Sequence, residues 1–193
     1  MEALFVSTGI VALAEIGDKT QLLAFILAAR FKKPLPIILG ILVATLINHG
    51  LAGALGAWIM AAVNPDILRW VLGFSFIGMA AWTLIPDKIE EDDTQVAKRF
   101  GIFGATLITF FLAEMGDKTQ VATVAMAAHY GTPILVIIGT TLGMLIADVP
   151  AVFVGDKFAA RIPMKLVHSI AAAVFAILGV ATLLGAGSML SGV

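Results

Sequence analysis

Residues 13–21 read Leu13-Ala14-Glu15-Ile16-Gly17-Asp18-Lys19-Thr20-Gln21, and residues 112–120 read Leu112-Ala113-Glu114-Met115-Gly116-Asp117-Lys118-Thr119-Gln120. Eight of the nine positions are identical at an offset of 99. The same offset pairs Pro34 with Pro133, Gly40 with Gly139 and Gly56 with Gly155, so the likeness runs on well beyond the motif. The chain is a duplication, and each copy places an acid, a glycine, a second acid and a lysine inside an otherwise apolar stretch.

The surroundings of the motif define its solvent. Of 193 residues, 60% are hydrophobic and 13% charged, against about 45–50% and about 25% in an average soluble domain. So few charges cannot wet the surface of a soluble body of this size, which points to lipid. Cysteine is absent, which excludes disulfides, thiolate metal sites and cysteine nucleophiles. A net charge of −1 leaves no basic footprint for nucleic acid.

A transmembrane helix needs about 20 mostly apolar residues. The chain divides into six such stretches, near 3–29, 35–62, 67–86, 101–128, 134–155 and 165–187. Proline with polar residues marks the breaks at Arg30 to Pro34, Asn64 to Asp66, Thr132-Pro133 and Arg161 to Pro163. The expectation is an all-α membrane protein of six transmembrane helices. Residues 1–86 form the first three-helix repeat, 87–99 an acidic cytoplasmic linker and 100–193 the second repeat. Because three is odd, the second copy enters the membrane from the opposite side, giving inverted repeats, which is a transporter architecture.

The loops after spans 1, 3 and 5 hold Arg30, Lys32, Lys33, Lys88, Lys98, Arg99, Lys157, Arg161 and Lys165, whereas the opposite side has only Arg69. The positive-inside rule therefore places both termini outside the cytoplasm. The N-terminus has no basic region ahead of its long apolar stretch, so no cleavable signal peptide is expected. Trp58, Trp70 and Trp82 suit interfacial anchoring, and the eight methionines read as apolar filler.

Five acids fall within spans: Glu15, Asp18, Glu114, Asp117 and Asp148. Lys19 and Lys118 are the basic residues at comparable depth, so full ionisation would leave an excess of three negative charges. Even one charge at mid-bilayer costs at least about 2.5 kcal/mol. A divalent cation, bound protons, or their alternation can compensate, and like-charged carboxylates in one place make protons compete with metal. That competition is the physical basis of cation/proton exchange.

Glu15 and Asp18, like Glu114 and Asp117, stand at i and i+3 and share one face of a continuous helix. The glycine between them permits either close helix packing or a local break. Carboxylates with amides and hydroxyls form an all-oxygen set suited to manganese, calcium or magnesium. On continuous-helix geometry Gln21 and Gln120 rank above Thr20 and Thr119 as added ligands, since the threonines face away from the glutamates unless the helix breaks. Asn48, His49 and Asp148 are further candidates at mid-depth, with His49 read first as a satisfied interior histidine. His129 and His168 lie near span ends and carry no expected role. Lys19 and Lys118 compensate charge, and i, i+4 pairs from Glu15 to Lys19 and from Glu114 to Lys118 are the structural alternative. The run Glu90-Glu91-Asp92-Asp93 reads as a solvated loop.

The doubled Glu-x-Gly-Asp-Lys-Thr signature, at Glu15 to Thr20 and Glu114 to Thr119, resembles the membrane cation exchangers grouped as uncharacterised protein family 0016. That family includes bacterial manganese exporters and Golgi calcium/manganese transporters. The resemblance spans essentially the whole chain, with no departure at either copy. It implies that Glu15, Asp18, Glu114 and Asp117 bind the cation and that the proton is the coupling ion, with no prosthetic group. The short N-terminus resembles that of a prokaryotic member, in the cytoplasmic membrane. The sequence thus supports a secondary active divalent cation/proton antiporter exporting manganese, with calcium as the other cargo, whose partners are the lipid bilayer and the metal ion. A passive divalent cation channel and an amino-acid exporter of related topology stay open beside it. An intramembrane aspartyl protease fits poorly, because Glu15 and Glu114 stand where the first glycine of its Gly-x-Gly-Asp motif belongs.

Overall fold

The computed structural model describes residues 1–85, 96–154 and 164–185. The acidic run at 90–93, Lys88, Lys157, Gly155 and the break at Arg161 to Pro163 lie outside the described residues. Eight helices and no strands occur among those described: α1 (Glu2–Glu15), α2 (Lys19–Phe31), α3 (Pro34–Ala62), α4 (Pro65–Thr83), α5 (Val96–Glu114), α6 (Lys118–Tyr130), α7 (Pro133–Val154) and α8 (Met164–Leu183). Local chemistry sets several ends. Pro34 and Pro65 occupy first turns, where a missing N–H costs nothing, and the Asn64 side chain accepts from the Asp66 amide at 2.9 Å. Gly131 closes α6 in the left-handed conformation with φ 63°.

The main departure from a six-rod reading lies at the motif. The expected first and fourth spans are each two helices, because α1 stops at Glu15 and α2 starts at Lys19, while α5 stops at Glu114 and α6 starts at Lys118. The axes of α5 and α6 differ by 71°. Gly17 at φ 84° and Gly116 at φ 79° make the two turns, a conformation that residues with a Cβ rarely adopt. Of the two roles open to the motif glycine, the break is the one observed.

Two described helices, Pro34–Ala62 and Pro133–Phe153, are long and apolar enough to cross a membrane, and the bent α5–α6 pair makes a third when counted as one span. The surface is apolar: Phe5, Leu51, Trp58, Phe74, Ile134 and Ile177 are all well exposed. The interior in turn holds glutamate, aspartate, lysine, asparagine and histidine.

Packing interlocks the two halves. α7 lies against α1 and α2, α3 lies against α5 and α6, and α4 pairs with α8. Each long helix thus clasps the broken pair of the other half. Close approach depends on small residues: a Cβ at Gly139 would stand 2.2 Å from Ser7 Oγ and 2.7 Å from the Leu4 carbonyl oxygen. Ile10, Ile37, Ile41, Phe76, Phe110, Met126, Met144 and Phe175 fill the core around these contacts.

Candidate metal centre

The two breaks are built alike. Glu15 is the last residue of α1, the Asp18 amide donates to the Glu15 carbonyl at 3.0 Å, and Asp18 is extended at φ −81°, ψ 170° ahead of α2. In the second copy the Asp117 amide donates to the Glu114 carbonyl at 3.1 Å, and Asp117 sits at φ −76°, ψ 165°. The acids therefore stand at facing ends of two half-helices rather than on one helical face. Neither aspartate caps its helix with its side chain, which leaves both carboxylates to reach across the molecule.

The break reverses the ranking of the neighbouring polar residues. Thr20 Oγ1 donates to Glu15 Oε2 at 2.6 Å, and Thr119 Oγ1 donates to Glu114 Oε2 at 3.0 Å. The glutamines brace the turns instead. Gln21 Oε1 accepts from the Gly17 amide at 2.9 Å while its Nε2 donates to the Ala147 carbonyl at 2.9 Å. Gln120 Oε1 accepts from the Gly116 amide at 2.7 Å, and its Nε2 lies 3.5 Å from Asn48 Oδ1. Continuous-helix geometry put the threonines on the far side, and the 99-residue repeat of the turn is what brings them back.

The lysines also differ from the i, i+4 expectation. Lys19 Nζ lies 3.0 Å from Asp117 Oδ1, and Lys118 Nζ lies 3.1 Å from Asp18 Oδ1. Each motif lysine therefore crosses to the aspartate of the other copy.

All five acids are buried, with Glu15, Glu114 and Asp148 at 0% and Asp18 and Asp117 at 3% exposure. Carboxylate oxygens of Glu15, Glu114 and Asp117 lie within 4.8 Å of one another. Oxygens sharing one hard divalent ion stand about 4 to 5 Å apart or closer, so this trio fits such an ion as a cargo site. Glu15 Oε1, Glu114 Oε1 and Asp117 Oδ2 have no hydrogen-bond partner among the described residues, which leaves one oxygen on each acid to bind.

Asp148 on α7 interacts electrostatically with Glu15, Asp18 and Glu114, and neither of its oxygens has a described hydrogen-bond partner. Asn48 Nδ2 donates to the Phe111 carbonyl at 3.1 Å, a helix-bridging role. His49, the repeat counterpart of Asp148, is fully buried with neither ring nitrogen partnered among the described residues, so the expected satisfied histidine is not what the fold contains. His168 carried no signal in the sequence. Its Nε2 lies 3.0 Å from the Ile16 carbonyl, tying α8 to the first break.

A model of the family described as "Divalent cation/proton antiporter GDT1" matches residues 3–91 and again 102–190. This chain belongs to the GDT1 family. GDT1 proteins similar to it include one of Vibrio cholerae serotype O1 named "Putative manganese exporter", 49% identical over 94% of this chain and 90% of that protein. A GDT1-like protein 3 of Oryza sativa subsp. indica is 29% identical over 90% of this chain and 71% of its own length. A GDT1-like protein 5 of Arabidopsis thaliana is 28% identical over 89% and 91%. No solved structure matches. Membership in GDT1 makes the chain part of a family of membrane transporters that exchange divalent cations for protons, in agreement with the resemblance drawn from the doubled motif.

Proposed function

We propose that this chain exports manganese from the cytoplasm in exchange for protons, with calcium as a second cargo. The ion site stands near the middle of the bilayer. Glu15, Glu114 and Asp117 supply ligand oxygens, Asp18 and Asp148 complete the carboxylate ring, and Thr20 and Thr119 orient the glutamates. Gln21, Gln120 and Asn48 hold the turns, and His49 is a further polar group beside the ring.

The observation that carries this reading is the convergence of Glu15, Glu114 and Asp117, from two copies of one motif, within 4.8 Å. Half-helices α1 and α2, of 14 and 13 residues, reach only about 20 Å each, short of a hydrocarbon core of about 30 Å, so they serve as one span broken in the interior. Taken with α5–α6, this favours six spans in two inverted repeats, 1–86 and 100–193, around a linker at 87–99, with both termini outside a prokaryotic cytoplasmic membrane. The clasp of each long helix on the other half's broken pair provides an interface along which the repeats can rock. Metal binds the carboxylates from the cytoplasm, the halves rock, the ion leaves outside, and protons reload the acids for the return.

The test uses liposomes holding the purified protein, a pH dye and a manganese-quenched fluorophore. Manganese entry coupled to proton exit, and lost in Asp117→Asn or Asp18→Asn, is the expected result. Flux indifferent to an imposed pH gradient would establish a channel instead, and wild-type flux in both variants would overturn the site.

A further inference from the structure

We propose that the two motif lysines have different tasks: Lys19 is a tethered cation that holds Asp117 until an arriving divalent ion displaces it, whereas Lys118 stays on Asp18 throughout. This inference rests on the ion site proposed above and assigns the chain's own competitor for that site.

The crossed bridges look symmetric but their surroundings are not. Lys118 is 2% exposed at its side chain and its partner Asp18 1%, while Lys19 is 26% exposed beside an Asp117 at 3%. A displaced ammonium must find other solvation. Lys19 already reaches the molecular surface, and its four-carbon stem lets the charge swing outward while the backbone stays in place. Lys118 has no such exit, and separating it from Asp18 would leave two buried charges unmatched.

The ligand geometry selects the same lysine. Asp117 belongs to the trio whose oxygens converge within 4.8 Å, and Lys19 is bonded to Oδ1 of that residue. Lys19 also interacts electrostatically with Glu114, a second member of the trio. A divalent ion among Glu15, Glu114 and Asp117 would therefore stand within a few ångströms of the ammonium if Lys19 stayed, and like charges that close repel strongly. The two cations exclude each other.

Displacement also bears on specificity. A lysine fixed beside the site competes at the high effective concentration of a tethered group. A monovalent ion brings no more charge than the ammonium it must replace, whereas a divalent ion brings twice as much. Lys19 thereby favours divalent cargo, and in the ion-free protein it bridges the two copies of the motif.

The experiment compares Mn2+ binding and lysine reactivity in full-length protein in lipid nanodiscs. A water-soluble amine-acylating reagent is applied at fixed pH, and peptides are read by mass spectrometry. In the wild type, Mn2+ should raise labelling of Lys19 severalfold and leave Lys118 unchanged, and Asp117→Asn should label fast at Lys19 without metal. Lys19→Met should bind Mn2+ about five- to tenfold more tightly, the scale of a coupling between mutually exclusive ligands. Bound Mn2+ with Lys19 labelling unmoved, or with Lys118 becoming reactive instead, would overturn the assignment while leaving the ion site standing. Absence of Mn2+ binding by the wild type would overturn the ion site itself, and the role of Lys19 with it.

Discussion

Lys118 and Asp18 are 100 residues apart in the chain and 3.1 Å apart in the fold, with almost none of either side chain exposed. This pair joins the second copy of the motif to the first through an interaction that water cannot replace. Removing one partner of a buried pair typically costs about 3–5 kcal/mol, because the other charge is left without compensation. Lys118→Met should therefore lower the melting temperature sharply in detergent, and Asp18→Asn combined with Lys118→Met should recover much of the loss. Lys19→Met, at the half-buried bridge, should cost about 1 kcal/mol or less. Equal melting curves for the two lysine variants would contradict the difference in burial.

Thr20 and Thr119 each donate to a glutamate oxygen at the ends of the broken helices. A hydrogen bond to a charged group is worth about 1.5–3 kcal/mol, or roughly ten- to a hundredfold in binding. Thr20→Val and Thr119→Val should each weaken Mn2+ binding by at least tenfold, with Thr20→Ser near wild type. Titration of the purified variants with Mn2+ checks this, and unchanged affinity in both valine variants would remove the threonines from the site.

Gly116 turns the chain at φ 79°, and a Cβ added there would meet nothing within 4 Å. Any loss on substitution is then conformational rather than steric, about 1–3 kcal/mol at a left-handed position. Gly116→Val should reduce transport by about tenfold or more, since small misplacements of reacting groups are costly, and Gly116→Asn should retain more activity because asparagine tolerates this region. Equal transport by the two variants in the liposome assay would mean the turn does not set the site.

Gly139 on α7 presses against Ser7 and the Leu4 carbonyl of α1, whereas a Cβ at Gly50 would meet nothing within 4 Å. Overpacking of this kind costs about 1–3 kcal/mol. Gly139→Ala should lower thermal stability measurably and Gly50→Ala should not, which a pair of melting curves decides.

The sequence alone determined the helical class, the lipid solvent, the duplication and the acids that matter. Those properties follow from composition and from period, and the offset of 99 exposes Glu15, Asp18, Glu114 and Asp117 without reference to any fold. It also left the motif glycine with two roles, and ranking Gln21 over Thr20 held only while the helix was taken as continuous. The tertiary structure decided the rest. A turn at Gly17 or Gly116 changes which side chains share a face, so Thr20 meets Glu15 and Gln21 braces the backbone. Partners from elsewhere in the chain have no local signal at all: nothing within the motif says that Lys19 pairs with Asp117, or that His168 reaches the Ile16 carbonyl. Spacing along a chain reports on neighbours within a helix turn, whereas these contacts depend on how α3 and α7 clasp the broken helices of the opposite half, which only packing sets.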